Sequence, residues 1–114
     1  VNEGGKIAEQ LAAAYLQQEG LTLLASNYHC RFGEIDLIMR DGNEIVFVEV
    51  RLRSNKAFGG AAESITPAKR QKLARTADHY LMQRSATPSR FDAVLLNSLS
   101  LTGLQWIKNA FDGS

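Results

Sequence analysis

Asp36, Glu49 and Arg51 are the residues of this 114-residue chain whose types and spacing bear most directly on chemistry. They sit in two strand-like segments, Glu34 to Met39 and Glu44 to Arg53, joined by Asp41-Gly42-Asn43, which has the chemistry of a tight hairpin turn. Side chains alternate across a strand. Glu34, Asp36 and Ile38 therefore share a face, Val48 and Val50 share a face of the next strand, and Glu49 and Arg51 point away from the valines. The hairpin brings Asp36 across from Glu49 and leaves Ile35, Leu37, Val48 and Val50 to fill an apolar face. Two carboxylates and a guanidinium then meet. The same residues also fit an ordinary cross-strand ion pair on a solvated face, an interaction typically worth under about 1 kcal/mol.

A third acid comes from the N-terminal segment. Between Gly5 and Gln18, Ala8, Leu11, Ala12, Tyr15 and Leu16 recur at helical spacing, and Gly20 supplies a stop. At about 100° per residue, Glu9 falls inside the arc of Ala8, Ala12, Ala13 and Leu16. An acid on a core-facing stripe needs a cation, a hydrogen-bond partner or a place at the stripe's edge, because burying it unpaired costs several kcal/mol. The alternative for Glu9 is a peripheral position near a helix start, where negative charge is favourable. Three carboxylates converging at strand ends suit Mg²⁺, a hard ion that takes oxygen ligands and keeps several waters. Such an ion suits phosphodiester chemistry, where it neutralises the phosphate and stabilises the leaving oxygen.

The elements that must position these groups follow from the rest of the pattern. A strand from Leu21 to Tyr28 precedes the two already described, giving an antiparallel meander. Ser54 to Glu63, with Gly59 and Gly60, reads as a loop able to approach a ligand. Thr66 then caps a second helix, with Pro67 at its first position and Leu73, Ala77, Tyr80 and Leu81 as its apolar stripe to about Arg84. Pro88 and Ser89 break it, Phe91 to Leu96 is a strand, and Gly103 leads to a last strand around Trp106. The predicted order is α-β-β-β-α-β-β, an α/β chain in one domain over residues 1–114, with a mixed sheet covered by helices. The long helical connection from third to fourth strand implies a right-handed crossover between parallel strands.

With these residues in place, Glu9, Asp36 and Glu49-Val50-Arg51 resemble the PD-(D/E)xK pattern of restriction-endonuclease-like nucleases, including Holliday-junction resolvases. Arg31-Phe32-Gly33-Glu34-Ile35-Asp36-Leu37-Ile38, Val46-Phe47-Val48-Glu49-Val50-Arg51 and Glu63-Ser64-Ile65-Thr66 are similar to the YraN family of uncharacterised bacterial proteins, over nearly the whole chain. The resemblance implies a restriction-endonuclease-like mixed central sheet flanked by helices. It further implies Asp36 and Glu49 as ligands of Mg²⁺ or Mn²⁺, Glu9 as the helix-borne acid, Arg51 as the basic member of a catalytic set, and structured or branched DNA as substrate. Resolvase-like proteins often act as homodimers, although no residue here marks a dimer interface. The match departs at Arg51, where the pattern has lysine: a guanidinium stays protonated and is a poor general base, but still binds phosphate. Lys69, at the edge of the apolar stripe in the second helix's first turn, is a second source of an amine; first-turn lysines are more commonly solvated.

Charge distribution bears on partners. Thirteen Lys and Arg against 12 Asp and Glu leave a net charge of +1, so attraction to a polyanion must come from local clusters. Arg51, Arg53 and Lys56 flank the acids, and Lys69, Lys72 and Arg75 lie on the second helix, as a DNA-binding face requires. Lys72, Arg75 and His79 equally describe an exposed helix side. Trp106, Phe47 and Phe91 are aromatic residues able to stack on bases, although strand aromatics usually build the core. Asp92 is expected to pair with Arg90 or cap a loop. His29 beside Cys30, the single cysteine, lacks the further ligands of a zinc site. No apolar run reaches the roughly 20 residues of a membrane helix and no signal-peptide pattern opens the chain, so the cytoplasm is expected. The competing functions are a metal-dependent endonuclease, a non-catalytic nucleic-acid-binding module with a degenerate site, and a protein-interaction domain.

Overall fold

A computed structural model describes residues 3–52, 65–84 and 87–112. The expected order is found: α1 (Glu3–Gln18), β1 (Thr22–Cys30), β2 (Gly33–Asp41), β3 (Glu44–Leu52), α2 (Pro67–Leu81), β4 (Ser89–Leu96) and β5 (Gln105–Phe111). The five strands form one mixed sheet in chain order, β1-β2-β3-β4-β5. β3 and β4 pair in parallel and all other neighbours are antiparallel. The segment expected as a loop, Ser54 to Glu63, lies outside the described residues.

α1 ends where the sequence places its stop. Gly20 takes φ 101°, its N–H donates to Gln17 O, and Leu21 N–H donates to Leu16 O at 3.0 Å. This is a Schellman cap, and its apolar pair, Leu16 and Leu21, is buried in the core beneath the helix. α2 begins on its predicted cap: Thr66 is extended and its side chain accepts from Lys69 N, with Pro67 next. The helix stops at Leu81, three residues before the expected end. Arg84 folds back instead, donating from Nη1 to Tyr80 O at 2.7 Å with its guanidinium 3.6 Å from the Tyr80 ring centroid. Between β2 and β3, Asp41 pairs with Glu44 across a two-residue turn in which Gly42 takes φ 62°.

The sheet separates two apolar layers. Under α1 lie Ala8, Ala12, Leu16, Leu37, Met39, Val46, Val48, Val50, Val94 and Leu96. On the α2 side lie Ile35, Ile38, Phe47, Leu73, Ala77, Tyr80, Phe91 and Leu95. Ile35 and Leu37 were expected on one face and fall in opposite layers. The physical reason is a break in β2 at Asp36. The pairs Ser26–Leu37 and Tyr28–Ile35 set Asp36 against Asn27, which takes a left-handed φ of 53° and disrupts the pleat. On its other side β2 stays paired with β3 only up to Leu37–Val48. Beyond that pair the two strands diverge, leaving a gap at the end of β3 where Glu49 and Arg51 stand.

Phe47 and Phe91 pack against each other at a tilt within the α2-side core, with centroids 5.4 Å apart. At the start of β4, Asp92 is fully buried and accepts from Arg90 Nε at 3.0 Å, Trp106 Nε1 at 2.9 Å and Asn109 N at 3.0 Å. Arg90 also pairs with Glu44 at 2.8 Å and Asp41 at 3.0 Å. Trp106 packs edge-on against Tyr15 of α1. This network ties the β2–β3 hairpin, β4 and β5 together. Because removing one partner strands the others in a low-dielectric interior, Asp92→Ala is expected to lower unfolding free energy by about 3–5 kcal/mol. Urea denaturation measures this, and a loss below about 1 kcal/mol, the value of an exposed pair, would show that the network is not structural.

Candidate active site

The divergence of β2 from β3 determines what Asp36 does. Once the ladder ends, the N–H of Val50 has no strand partner from β2, and Asp36 Oδ2 accepts it at 2.8 Å. A carboxylate thus substitutes for a backbone carbonyl, fixing the Asp36 side chain between the two strands. The residue is positioned by an interruption of the sheet rather than by its regularity.

Glu49 lies between Val48 and Val50 of the α1-side layer, so strand alternation turns it toward α2. It is only 4% exposed. Arg51 Nη2 lies 2.8 Å and Lys69 Nζ 2.9 Å from the same Glu49 oxygen, Oε2. The Asp36 and Glu49 carboxyl groups lie close enough to hydrogen-bond to each other. Burial, and then the Asp36 charge, push Glu49 up to about 7, against the lowering pull of Lys69 and Arg51. Asp36 is raised as well, by burial first, although the Val50 N–H opposes the change. Burial of the pair outweighs the pull of the two neighbouring cations.

Glu9 reaches the same place from α1. With Gly5, Ala8, Glu34, Asp36, Glu49, Val50, Arg51, Leu52 and Lys69 it lines a cleft of about 270 Å³. Glu9 Oε1 is buried without a hydrogen-bond partner, as is Arg51 Nε. Glu9, Asp36 and Glu49 are therefore brought to one cleft, but they do not close into a set. Among the described residues no three His, Cys, Asp or Glu side chains are arranged to hold a metal ion. The donor chemistry nevertheless fits a hard divalent cation at Asp36 and Glu49. Mg²⁺ commonly uses one or two carboxylates and keeps its waters, and the crowding and burial that raise both carboxyls are what a bound cation relieves. Glu9 Oε1 stands as an unpaired acceptor in the same cleft.

The basic residues divide. Arg51 and Lys69 are in the cleft. Lys72 is exposed and lines an adjoining groove of about 410 Å³ with Gly33, Glu34, Thr66, Ala68, Lys69 and Leu73. Arg75 is exposed on α2. Arg53 and Lys56 lie outside the described residues. His79 is not a free member of the helix face: its Nδ1 is 2.6 Å from Tyr28 Oη, and its ring contacts Phe32. His29 Nδ1 bonds Asn27 O, and Cys30 is a free, half-buried thiol. Gly33, the last glycine before the acids, has φ 150° and is packed so closely on α2 that a Cβ would stand 3.1 Å from Thr76 Oγ1. Sequence reasoning missed the Val50 N–H and the Asn27 kink. Asn27, a residue tolerant of left-handed backbone inside an otherwise strand-like run, was the available signal.

The raised Glu49 gives a pH dependence of known sign. A group that binds its proton more tightly when folded stabilises the fold below its ordinary value and loses that contribution as pH rises through the folded value. For Glu49 the window runs from about 4.5 to about 7. In the absence of divalent ions, the wild type should lose stability relative to Glu49→Gln across this window, as read by thermal melts at a series of pH values. Parallel curves would show that Glu49 is not raised.

The comparisons with known proteins are consistent over nearly the full length. The model of the uncharacterised protein family UPF0102 matches residues 8–96, which include Glu9, Asp36, Glu49, Arg51 and Lys69. A UPF0102 protein of Nitrosomonas europaea is 60% identical over 111 residues, covering 96% of this chain and 94% of its own length. One from Methylobacillus flagellatus is 56% identical, covering 94% of this chain and 95% of itself, and one from Legionella pneumophila is 51% identical, covering 96% and 95%. On the family match and these identities, the chain belongs to the uncharacterised protein family UPF0102, the YraN family.

Proposed function

We propose that the protein is a metal-dependent phosphodiesterase acting on DNA, an endonuclease of the resolvase type that reads structure and backbone rather than base edges. The observation that carries this reading is the buried Asp36–Glu49 carboxyl pair in the gap between β2 and β3, with Arg51 and Lys69 on it. A structural ion pair explains the cations, but it does not explain a second carboxyl forced against the first, nor the unpaired Glu9 oxygen. In this reading Asp36 and Glu49 hold Mg²⁺ or Mn²⁺, with Glu9 as a nearby acceptor. The ion, when bound, supplies concentrated positive charge for the attacked phosphate and its leaving oxygen.

The chain's own groups have separate tasks. The Val50 N–H fixes Asp36 so that its second oxygen stays turned to the cleft. Arg51 sets Glu49 and adds a permanent positive charge to the cleft. Lys72 and Arg75 extend positive charge along α2, where they track the backbone of a bound strand. Cleavage of both strands of a junction requires two such clefts, so a homodimer accompanies the proposal. No helix among the described residues is long and apolar enough to cross a membrane, and we place the activity in the cytoplasm with its DNA.

One observation favours a second reading. Glu49 Oε2 is already occupied by two cations, which suits a non-catalytic module that binds DNA through a degenerate site. Cleavage assays on junction, single-stranded and duplex DNA with Mg²⁺ or Mn²⁺ separate the two. Asp36→Asn is expected to lower cleavage at least about 100-fold while DNA binding in the metal-free protein holds or tightens as repulsion falls. Salt-dependent binding with no turnover in any of these conditions would instead establish the module. Lys72→Glu with Arg75→Glu is expected to weaken DNA binding and to flatten its salt dependence by about two counterions, without altering the metal requirement. An unchanged salt slope would remove α2 from the DNA path.

A further inference from the structure

We propose that Lys69 of α2, rather than Arg51 of β3, is the residue that contacts the attacked phosphate and its incoming water. It thereby supplies through space the lysine that the strand pattern lacks in sequence, and the proposal rests on the nuclease reading above. Lys69 Nζ and Arg51 Nη2 sit on the same Glu49 oxygen at 2.9 Å and 2.8 Å, so the two cationic centres lie within about 6 Å of each other. They differ in commitment. The Arg51 side chain is 25% exposed with Nε buried and unpartnered, whereas Lys69 is 38% exposed and so more accessible to a ligand.

The cavities give Lys69 a second distinction. Lys69 and Glu34 border both the acidic cleft and the adjoining groove that contains Lys72. Of the two, only Lys69 attracts a phosphate. A strand lying in the groove on Lys72 therefore brings its next phosphate past Lys69 into the cleft. Its backbone is fixed for this task. Lys69 N–H is the donor held by the Thr66 cap, Arg70 Nε donates to Ile65 O at 3.0 Å, and Leu73, Thr76, Ala77 and Tyr80 bury the helix behind it.

An ammonium carries three tetrahedrally spread donors on a flexible stem, whereas a guanidinium offers a rigid planar fork. With one donor on Glu49, Lys69 keeps two, enough for the water and one phosphoryl oxygen. In the reaction the water oxygen bonds to phosphorus and the bond from phosphorus to the leaving sugar oxygen breaks. The water releases a proton to solvent and the leaving oxygen takes one from solvent. Lys69 remains protonated throughout, holding the water and neutralising charge on the phosphoryl oxygen.

Steady-state cleavage by the full chain with Mg²⁺ or Mn²⁺ tests the assignment. Lys69→Ala should lower kcat at least about 100-fold with KM within about threefold, and Lys69→Arg should not recover it. Arg51→Lys placed in the Lys69→Ala background should restore a substantial part of kcat, because the amine then returns from the strand; a merely structural role for Lys69 would give no such rescue. Lys69→Ala cleaving within about threefold of wild type would overturn the assignment and leave the nuclease reading intact. If the wild type cleaves nothing, the nuclease reading fails, and the phosphate contact is decided without turnover. In ¹³C-methylated, metal-free protein, the Lys69 signal, identified by its loss in Lys69→Arg, should shift when a short DNA oligonucleotide is added. A Lys69 signal that stays still while the Lys72 signal moves would overturn the contact.

Discussion

A carboxylate sits on the central strand of the sheet, and much of the surrounding architecture serves to accommodate it. From Ile45 to Val50 every residue of β3 is buried, and Glu49 is among them. An isolated charge in that position costs several kcal/mol, a large share of the roughly 5–15 kcal/mol that holds a domain folded. Arg51 approaches along the strand, Lys69 from the first turn of α2, and Asp36 adjoins it from β2. The capped start of α2, the interruption of β2 and the gap beyond Leu37–Val48 all meet at this side chain. An apolar residue at position 49 would satisfy the fold with none of this, which is why the arrangement reads as one kept for chemistry.

The sheet carries a second buried acid, and the contrast is informative. Asp92, near the start of β4, accepts from Arg90, Trp106 and Asn109, and Arg90 is in turn held by Glu44 and Asp41. Donors and acceptors there answer one another, so the network is a brace. Around Glu49 the same residue types leave a Glu9 oxygen and the Arg51 Nε unanswered and force two carboxyls together. Satisfied polar networks specify a fold, and unsatisfied ones mark where a ligand belongs. The cleft also lies at the C-terminal end of β3, beside its parallel neighbour, the end at which α/β sheets commonly bind ligands.

The element order, the meander, the stop of α1 and the cap at Thr66 were legible because each rests on local chemistry: alternation, helical spacing, a glycine past a helix end, a hydroxyl before proline. The opposition of Asp36 and Glu49 was legible too, since the short Asp41–Glu44 turn sets the register that carries one acid toward the other. What was not legible depends on departures from regularity. Strict alternation assigns Ile35 and Leu37 to one face, but the left-handed Asn27 and the end of the β2–β3 ladder divide them between layers. The role of Lys69 was open in the sequence because its distance to Glu49 depends on how α2 packs across the sheet. That packing is set by Leu73, Ala77, Tyr80 and the close approach of Gly33 to Thr76, contacts distant in sequence from either residue.

The central question is whether the Asp36–Glu49 pair is a divalent-cation site closed, in the free protein, by the two side-chain cations Arg51 and Lys69. Crystals grown with Mn²⁺ and measured at a wavelength where manganese scatters anomalously test this directly. The expected result is an anomalous peak in the cleft, ligated by carboxylate oxygens of both Asp36 and Glu49. A cleft without a peak at saturating Mn²⁺, with Lys69 and Arg51 still closed on Glu49, would contradict it and leave the cluster as a structural ion-pair network.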